Sequence, residues 1–126
     1  MADQMTTKTV LVTGATGYIG RRLAHRLLET STLNVRLLVR NRSKVQVAIA
    51  DRVEIQEGST FDKPSLAAAL TGVDTAFYLI HSMGGTEDYR NLDSVSAENF
   101  RDACIAAGVR RIIYLGGLGV KESASK

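Results

Sequence analysis

The chain has 126 residues, 44% of them hydrophobic and 23% charged, with a formal net charge of +3. No apolar run approaches the ~20 residues needed to span a bilayer, and the opening MADQMTTK lacks the apolar core of a signal peptide, so a cytoplasmic location is expected. The lone cysteine, Cys104, excludes an internal disulfide and a cysteine-only metal cluster, and a chain without tryptophan and with few aromatics, all in apolar contexts, offers nucleic acid no stacking platform.

Residues 9–13 (TVLVT) form a nearly continuous apolar run, the mark of a strand covered on both faces. Gly14, Gly17 and Gly20 follow at even spacing in VTGATGYIG. Ile19, Leu23, Ala24, Leu27 and Leu28 then recur at three and four, with Arg22, His25, Arg26 and Glu29 opposite, which predicts an amphipathic helix. A parallel strand that turns at once into a helix aims the helix amides at whatever lies above the sheet. In that geometry Gly14 permits the tight turn, Gly17 lets a pyrophosphate approach the backbone, and Gly20 lets helix and strand pack closely. Thr16 adds a hydroxyl near the phosphates. The pattern is GxxGxxG rather than GxGxxG, so its context carries the dinucleotide reading against the plainer one of a packing turn.

Residues 35–39 (VRLLV) predict the second strand. An acid that would meet a free ribose 2′-hydroxyl is expected just beyond it. The chain has Arg40, Asn41, Arg42, Ser43 and Lys44 there instead. The planar fork of Arg40 suits a 2′-phosphate, which predicts a preference for NADP(H), with NAD(H) as the lesser cofactor; the alternative is a pair of solvated loop arginines. The basic excess in Arg21, Arg22, Arg26, Arg36, Arg40, Arg42 and Lys44 is assigned to a small anionic ligand and a solvated helix face.

A weaker helix is expected over residues 43–50 and a strand over 53–56 (VEIQ). Gly58-Ser59-Thr60-Phe61-Asp62 then passes the adenine. Asp62 has two candidate roles, helix N-cap and contact near the adenine, of which capping is favoured on physical grounds; Pro64 in the first turn and Gly72 as the stop complete the third helix. Residues 75–80 (TAFYLI) give the fourth strand, after which Leu79, Ile80 and His81 are expected beside the ribose and nicotinamide. His81 is a candidate proton donor or simply a hydrogen-bonding loop residue, and Gly84 and Gly85 let the loop move. A long helix over 87–107 gathers Leu92, Val95, Phe100, Ala103, Cys104 and Ala107 on one face and ends at Gly108. Residues 111–115 (RIIYL) are the fifth strand; Cys104 packs in the core, and Tyr78 and Tyr114 are sheet residues.

Strand alternating with helix five times predicts an α/β fold, a doubly wound Rossmann-type parallel sheet in order 3-2-1-4-5. Its topological switch lies between the first and fourth strands. The domain is expected over 9–120, between a flexible N-terminus (1–8) and a flexible tail (121–126).

VTGATGYIG, LLVR, FYLIHSMGG and NFRDACIAAGVRRIIYLGGLG together resemble the short-chain dehydrogenase/reductase superfamily, more narrowly its atypical NmrA-like and NAD(P)H-binding oxidoreductase-like members. The resemblance implies that Gly14, Thr16, Gly17, Tyr18 and Ile19, with Ala15 in the same turn, hold the pyrophosphate. It gives Arg40 to the 2′-phosphate, and Leu79, Ile80 and His81 to the nicotinamide side. Working enzymes of the superfamily carry a serine just after the fifth strand and a Tyr-x-x-x-Lys pair on the next helix. Here Gly116 and Gly117 fill the serine region, and Tyr18, Tyr78, Tyr89 and Tyr114 are followed four residues later by Arg22, Ser82, Asp93 and Leu118. Asp93 stands where extended members often have asparagine, and Ser59 where relatives often have an acid.

No catalytic residue and no metal ligand is assigned. Relatives continue past the fifth strand into a substrate lobe, so the chain is expected to be the N-terminal part of a longer protein. The leading function is an NADP(H)-binding domain of an oxidoreductase, with hydride transfer to or from a small carbonyl or alkene. The alternative is a non-catalytic NAD(P)(H) sensor or assembly factor. A third reading is an orphaned half-domain whose fifth strand is an exposed edge that invites self-association.

Overall fold

The computed structural model describes residues 7–30, 32–79 and 87–114, with side chains from residue 94 onward in the last segment. Along the chain run β1 (Lys8–Thr13), α1 (Tyr18–Leu28), β2 (Leu33–Val39), α2 (Val47–Ala50), β3 (Glu54–Glu57), α3 (Lys63–Leu70), β4 (Val73–Tyr78), α4 (Glu87–Ala107) and β5 (Arg111–Tyr114). The five strands make one parallel sheet in the order β3-β2-β1-β4-β5, as the alternation of elements predicts.

Side-chain alternation sends each strand into two cores. Val10, Val12, Val35, Leu37 and Val39 pack under Ala24 of α1 and Ile49 of α2. Leu11, Leu38, Ala76 and Tyr78 pack under Leu66 and Leu70 of α3 and Phe100 and Cys104 of α4. A central strand therefore has no wet face, which is why β1 lacks polar alternation. Burial pushes the Cys104 thiol up to about 11, in keeping with a core role.

The element ends follow tertiary pairing. β2 starts earlier than residue 35 because Leu33 pairs with Lys8, and β4 starts earlier than residue 75 because Val73 pairs with Thr9. The helix expected over 43–50 is broken: a 3-10 turn spans Arg42–Lys44, and α2 holds only Val47–Ala50. Between them Val45 and Gln46 are extended, which buries Val45 in the α1-side core. On α4 the buried stripe is Ser96, Phe100 and Cys104, whereas Val95 is 45% exposed. The apolar periodicity misplaced Val95 because a serine occupies the inward position. Asp62 and Pro64 start α3, and Gly72 and Gly108 take positive φ (77° and 78°) after α3 and α4.

Arg36, counted among the ligand-facing and solvated cations, has a structural task instead. Its Nη1 donates to the carbonyls of Ala69 (2.7 Å) and Thr71 (2.8 Å), at the carboxyl end of α3, and its Nε donates to Glu54 Oε1 at 2.8 Å. A cation there meets both the orphan carbonyls and the negative end of the helix dipole. The Arg36 guanidinium, and after it the Asn34 amide, hold the Glu54 carboxyl below the usual carboxylate range. A carboxyl with a lowered folded pKa stabilises the fold above its unfolded value, and that contribution fades as pH falls through the folded one. Arg36→Met is expected to lower the unfolding free energy at pH 7 by about 2 kcal/mol, measured by urea titration, with a smaller loss in acid, once pH has fallen through the lowered folded pKa of Glu54 and the pair with Arg36 is gone in the parent as well.

Candidate functional site

Thr13 pairs in register with Leu38 of β2 and Tyr78 of β4, so the carboxyl ends of these strands stand level. Above them lies a groove of about 410 Å³. Thr13, Gly14, Ala15 and Thr16 form its floor; Leu38, Val39, Arg40, Asn41 and Lys44 form one wall, and Gly58, Ser59, Thr60 and Phe61 the other.

The floor depends on close backbone approach. Gly14 has φ +93°, and a Cβ there would stand 3.1 Å from the Leu79 carbonyl carbon. A Cβ on Gly20 would collide with the Gly14 carbonyl oxygen and stand 2.8 Å from the Ala15 Cα, so helix and turn can meet only with hydrogen at that position. Gly17 differs: its φ of −77° suits any residue, and a Cβ would touch only the Gly14 oxygen, at 3.5 Å. The fold leaves room for a side chain at the mouth of α1. Gly17 is also the N-cap of α1 and provides no side-chain cap, so the first-turn amides stay available.

The β2 wall holds its cations through a local turn. Asn41 Oδ1 accepts from the Ser43 amide (3.0 Å) and from Ser43 Oγ (2.7 Å), folding the chain back so that Lys44 returns to the groove beside Arg40. Arg42 points elsewhere: its Nε lies 3.8 Å from Glu57 Oε2, which also accepts its amide at 2.9 Å. Arg40 is exposed and has no ion-pair partner among the described residues, and the groove lining contains no carboxylate. Thr13 Oγ1, in the floor, is buried without a hydrogen-bond partner among the described residues.

Of the residues expected at the site, Gly14, Ala15, Thr16 and Arg40 meet in the groove, and Leu79 packs against Gly14 while its amide donates to the Thr13 carbonyl at 2.9 Å. Gly17, Tyr18 and Ile19 open α1 beside it; Tyr18 is 68% exposed, with the Arg22 guanidinium 5.4 Å from its ring centroid. Asp62 is outside the lining: its carboxylate accepts from the Ser65 amide (3.3 Å) and caps α3, so of its two expected roles the structure displays the cap. Ile80, His81, Ser82, Met83, Gly84, Gly85, Gly116, Gly117 and Leu118 lie outside the described residues, as do the side chains of Tyr89, Leu92 and Asp93. Lys44, counted in the basic excess, and Phe61, within the loop expected to pass the adenine, have no individual role in the expected site. Asn41-Arg42-Ser43 is the overlooked signal for Lys44, an Asx turn that reverses the chain. Phe61 stands in a polar loop and is 51% exposed, unlike the apolar contexts ascribed to the aromatics.

A glycine turn between β1 and α1, at the switch point of a 3-2-1-4-5 parallel sheet, defines a Rossmann-type dinucleotide-binding domain. A family model described as NAD(P)H-binding matches residues 14–126, and the chain belongs to that family. It is 36% identical over 113 residues to (4-alkanoyl-5-oxo-2,5-dihydrofuran-3-yl)methyl phosphate reductase of Streptomyces griseus, an alignment covering 90% of this chain and 36% of the relative. The Citrobacter sp. triphenylmethane reductase solved with NADP(H) superposes with a TM-score of 0.71 at 31% identity, over 86% of this chain and 37% of that one. An NADPH-dependent quinone oxidoreductase from Escherichia coli, solved with NADPH, gives a TM-score of 0.70 at 29% identity, over 83% of this chain and 35% of that one. The chain thus spans about a third of the length of these relatives.

The two helix-entry glycines are expected to respond differently to alanine. Gly20→Ala should destabilise the fold by about 2 kcal/mol or more, because backbone atoms must move. Gly17→Ala should stay within about 1 kcal/mol of the parent. Thermal melts of the two variants side by side check this.

Proposed function

We propose that the groove binds NADP(H) in preference to NAD(H), as the cofactor half of an oxidoreductase. The observation that carries this reading is the pairing of Arg40, which has no ion-pair partner among the described residues, with Lys44 in a groove lining without a carboxylate. Two cations there favour a dianionic 2′-phosphate, which the acid found in NAD-selective sites would repel. The amides of Tyr18, Ile19 and Gly20 meet the diphosphate, and the space beside Gly17 lets it approach. Gly58, Ser59 and Thr60 border the adenine, and the exposed Phe61 ring offers it a flat apolar face. Leu79, against Gly14 at the switch point, stands toward the nicotinamide half, where Ile80 and His81 follow in the chain.

A bound nicotinamide supplies a hydride for a carbonyl or alkene carbon, or takes one in reverse. The contribution of these residues is to hold and orient it, which lowers the entropic part of the barrier. Relatives named as reductases or oxidoreductases, two of them solved with NADP(H) or NADPH, support this reading over that of a non-catalytic sensor.

Calorimetric titration of NADPH and NADH into the 126-residue chain tests the cofactor. NADPH is expected to bind at least about tenfold more tightly, and Arg40→Ala to weaken NADPH by about 10- to 100-fold while leaving NADH unchanged. Lys44→Ala should act in the same direction with a smaller effect. Equal affinity for the two cofactors, or an advantage for NADH, defeats the selectivity claim. Gly17→Ala, folded as above, should weaken both cofactors alike.

A further inference from the structure

Within the apolar core beneath α3 and α4 runs a chain of three hydroxyls. Tyr78 Oη lies 2.6 Å from Ser96 Oγ, which lies 2.7 Å from Thr60 Oγ1. All three residues are buried, Ser96 to 2% exposure. Hydroxyls in such a place hold little net advantage over well-packed apolar side chains, but they fix geometry. One turn further along α4, Asn99 Nδ2 donates to the Thr60 carbonyl at 2.8 Å. Helix α4 therefore grips Thr60 by side chain and main chain together.

Thr60 lines the groove, whereas Ser96 and Asn99 do not. In the loop from Gly58 to Asp62, the Gly58 amide donates to the Val39 carbonyl (2.9 Å) and the Ser59 amide to Ser65 Oγ (3.1 Å). The Phe61 amide donates to Ser59 Oγ and the Asp62 amide to the Ser59 carbonyl, each at 3.0 Å. The Thr60 amide alone in this loop has no acceptor among the described residues. A residue clamped from behind with a spare donor is built to present that donor at a set position.

We propose that Ser96 and Asn99 are positioning residues for the adenine end of the cofactor, acting through Thr60. The inference rests on the reading of the groove as an NADP(H) site. The pairing edge of adenine carries one acceptor nitrogen, N1, beside the N6 amino donor, and in hypoxanthine N1 becomes an N–H donor. A fixed backbone donor at Thr60 favours the first base; a loosened one loses the distinction.

The test measures the affinity of the 126-residue chain for NADPH and for its hypoxanthine analogue, in the wild type, Ser96→Ala and Asn99→Ala. The wild type should prefer NADPH by about tenfold, and each variant should weaken NADPH by about tenfold and bring the preference close to one. A merely structural role would lower the melting temperature, or weaken both ligands equally, and leave the preference intact; that result overturns the inference. If the alanine variants do not fold, Asn99→Gln, with the donor on a longer arm, must still reduce the preference, and an unchanged preference counts against the idea. A wild type that binds neither dinucleotide overturns the reading of the groove itself. One that binds both without telling the bases apart overturns only the role of Thr60 and its supports.

Discussion

The binding end of this domain depends on how closely α1 approaches the turn from which it grows. The Gly14 carbonyl fills the space that a side chain on Gly20 would need, so the helix can sit directly over the end of β1. That nearness matters electrostatically, because the field of helix-terminal amides falls off within about a turn. Moved outward by one methyl group, α1 would still pack against the sheet, but its amides would no longer crown the level ends of β1, β2 and β4. The left-handed backbone of Gly14 and the missing side chain of Gly20 are two halves of one constraint.

Around that point, cations of one chemical type are divided among separate tasks. Arg36 closes the carboxyl end of α3, Arg42 is engaged by Glu57, and Arg22 lies over the ring of Tyr18. Arg40 stands at the groove with no ion-pair partner among the described residues. Its availability depends on its neighbours: the Asn41 cap sets the direction of the turn, and Glu57 draws Arg42 away from the wall. A net positive charge alone cannot separate these roles, since each follows from which carbonyl, carboxylate or ring lies within reach.

The glycine turn and the caps of α3 were legible in the sequence because each depends on local chemistry, and the order of the sheet because alternating strands and helices with right-handed crossovers leave few arrangements. An apolar run with both faces covered, a residue needing positive φ, and a carboxylate before a proline are read over a few positions. What escaped depends on residues far apart in the chain. The break at Val45 answers to the core under α1, and the inward turn of Ser96 answers to Tyr78 and Thr60. Lys44 reaches the groove only through the Asn41 turn, and Arg36 meets α3 across more than thirty positions. Periodicity assigns Val95 inward and Ser96 outward, since it weighs polarity and cannot see a hydroxyl partner waiting in the core.

Arg36 has a consequence for how the domain opens. Helix ends ordinarily fray apart from the rest of the molecule, and their amides exchange with solvent through small local excursions. Here the final turn of α3 is tied by charged hydrogen bonds to a strand next to the centre of the sheet. Those carbonyls cannot lose their donor unless Arg36 leaves them or β2 itself moves. The end of α3 therefore carries a tether to the sheet that an ordinary helix end lacks, and loosening of its last turn must also break charged hydrogen bonds to β2.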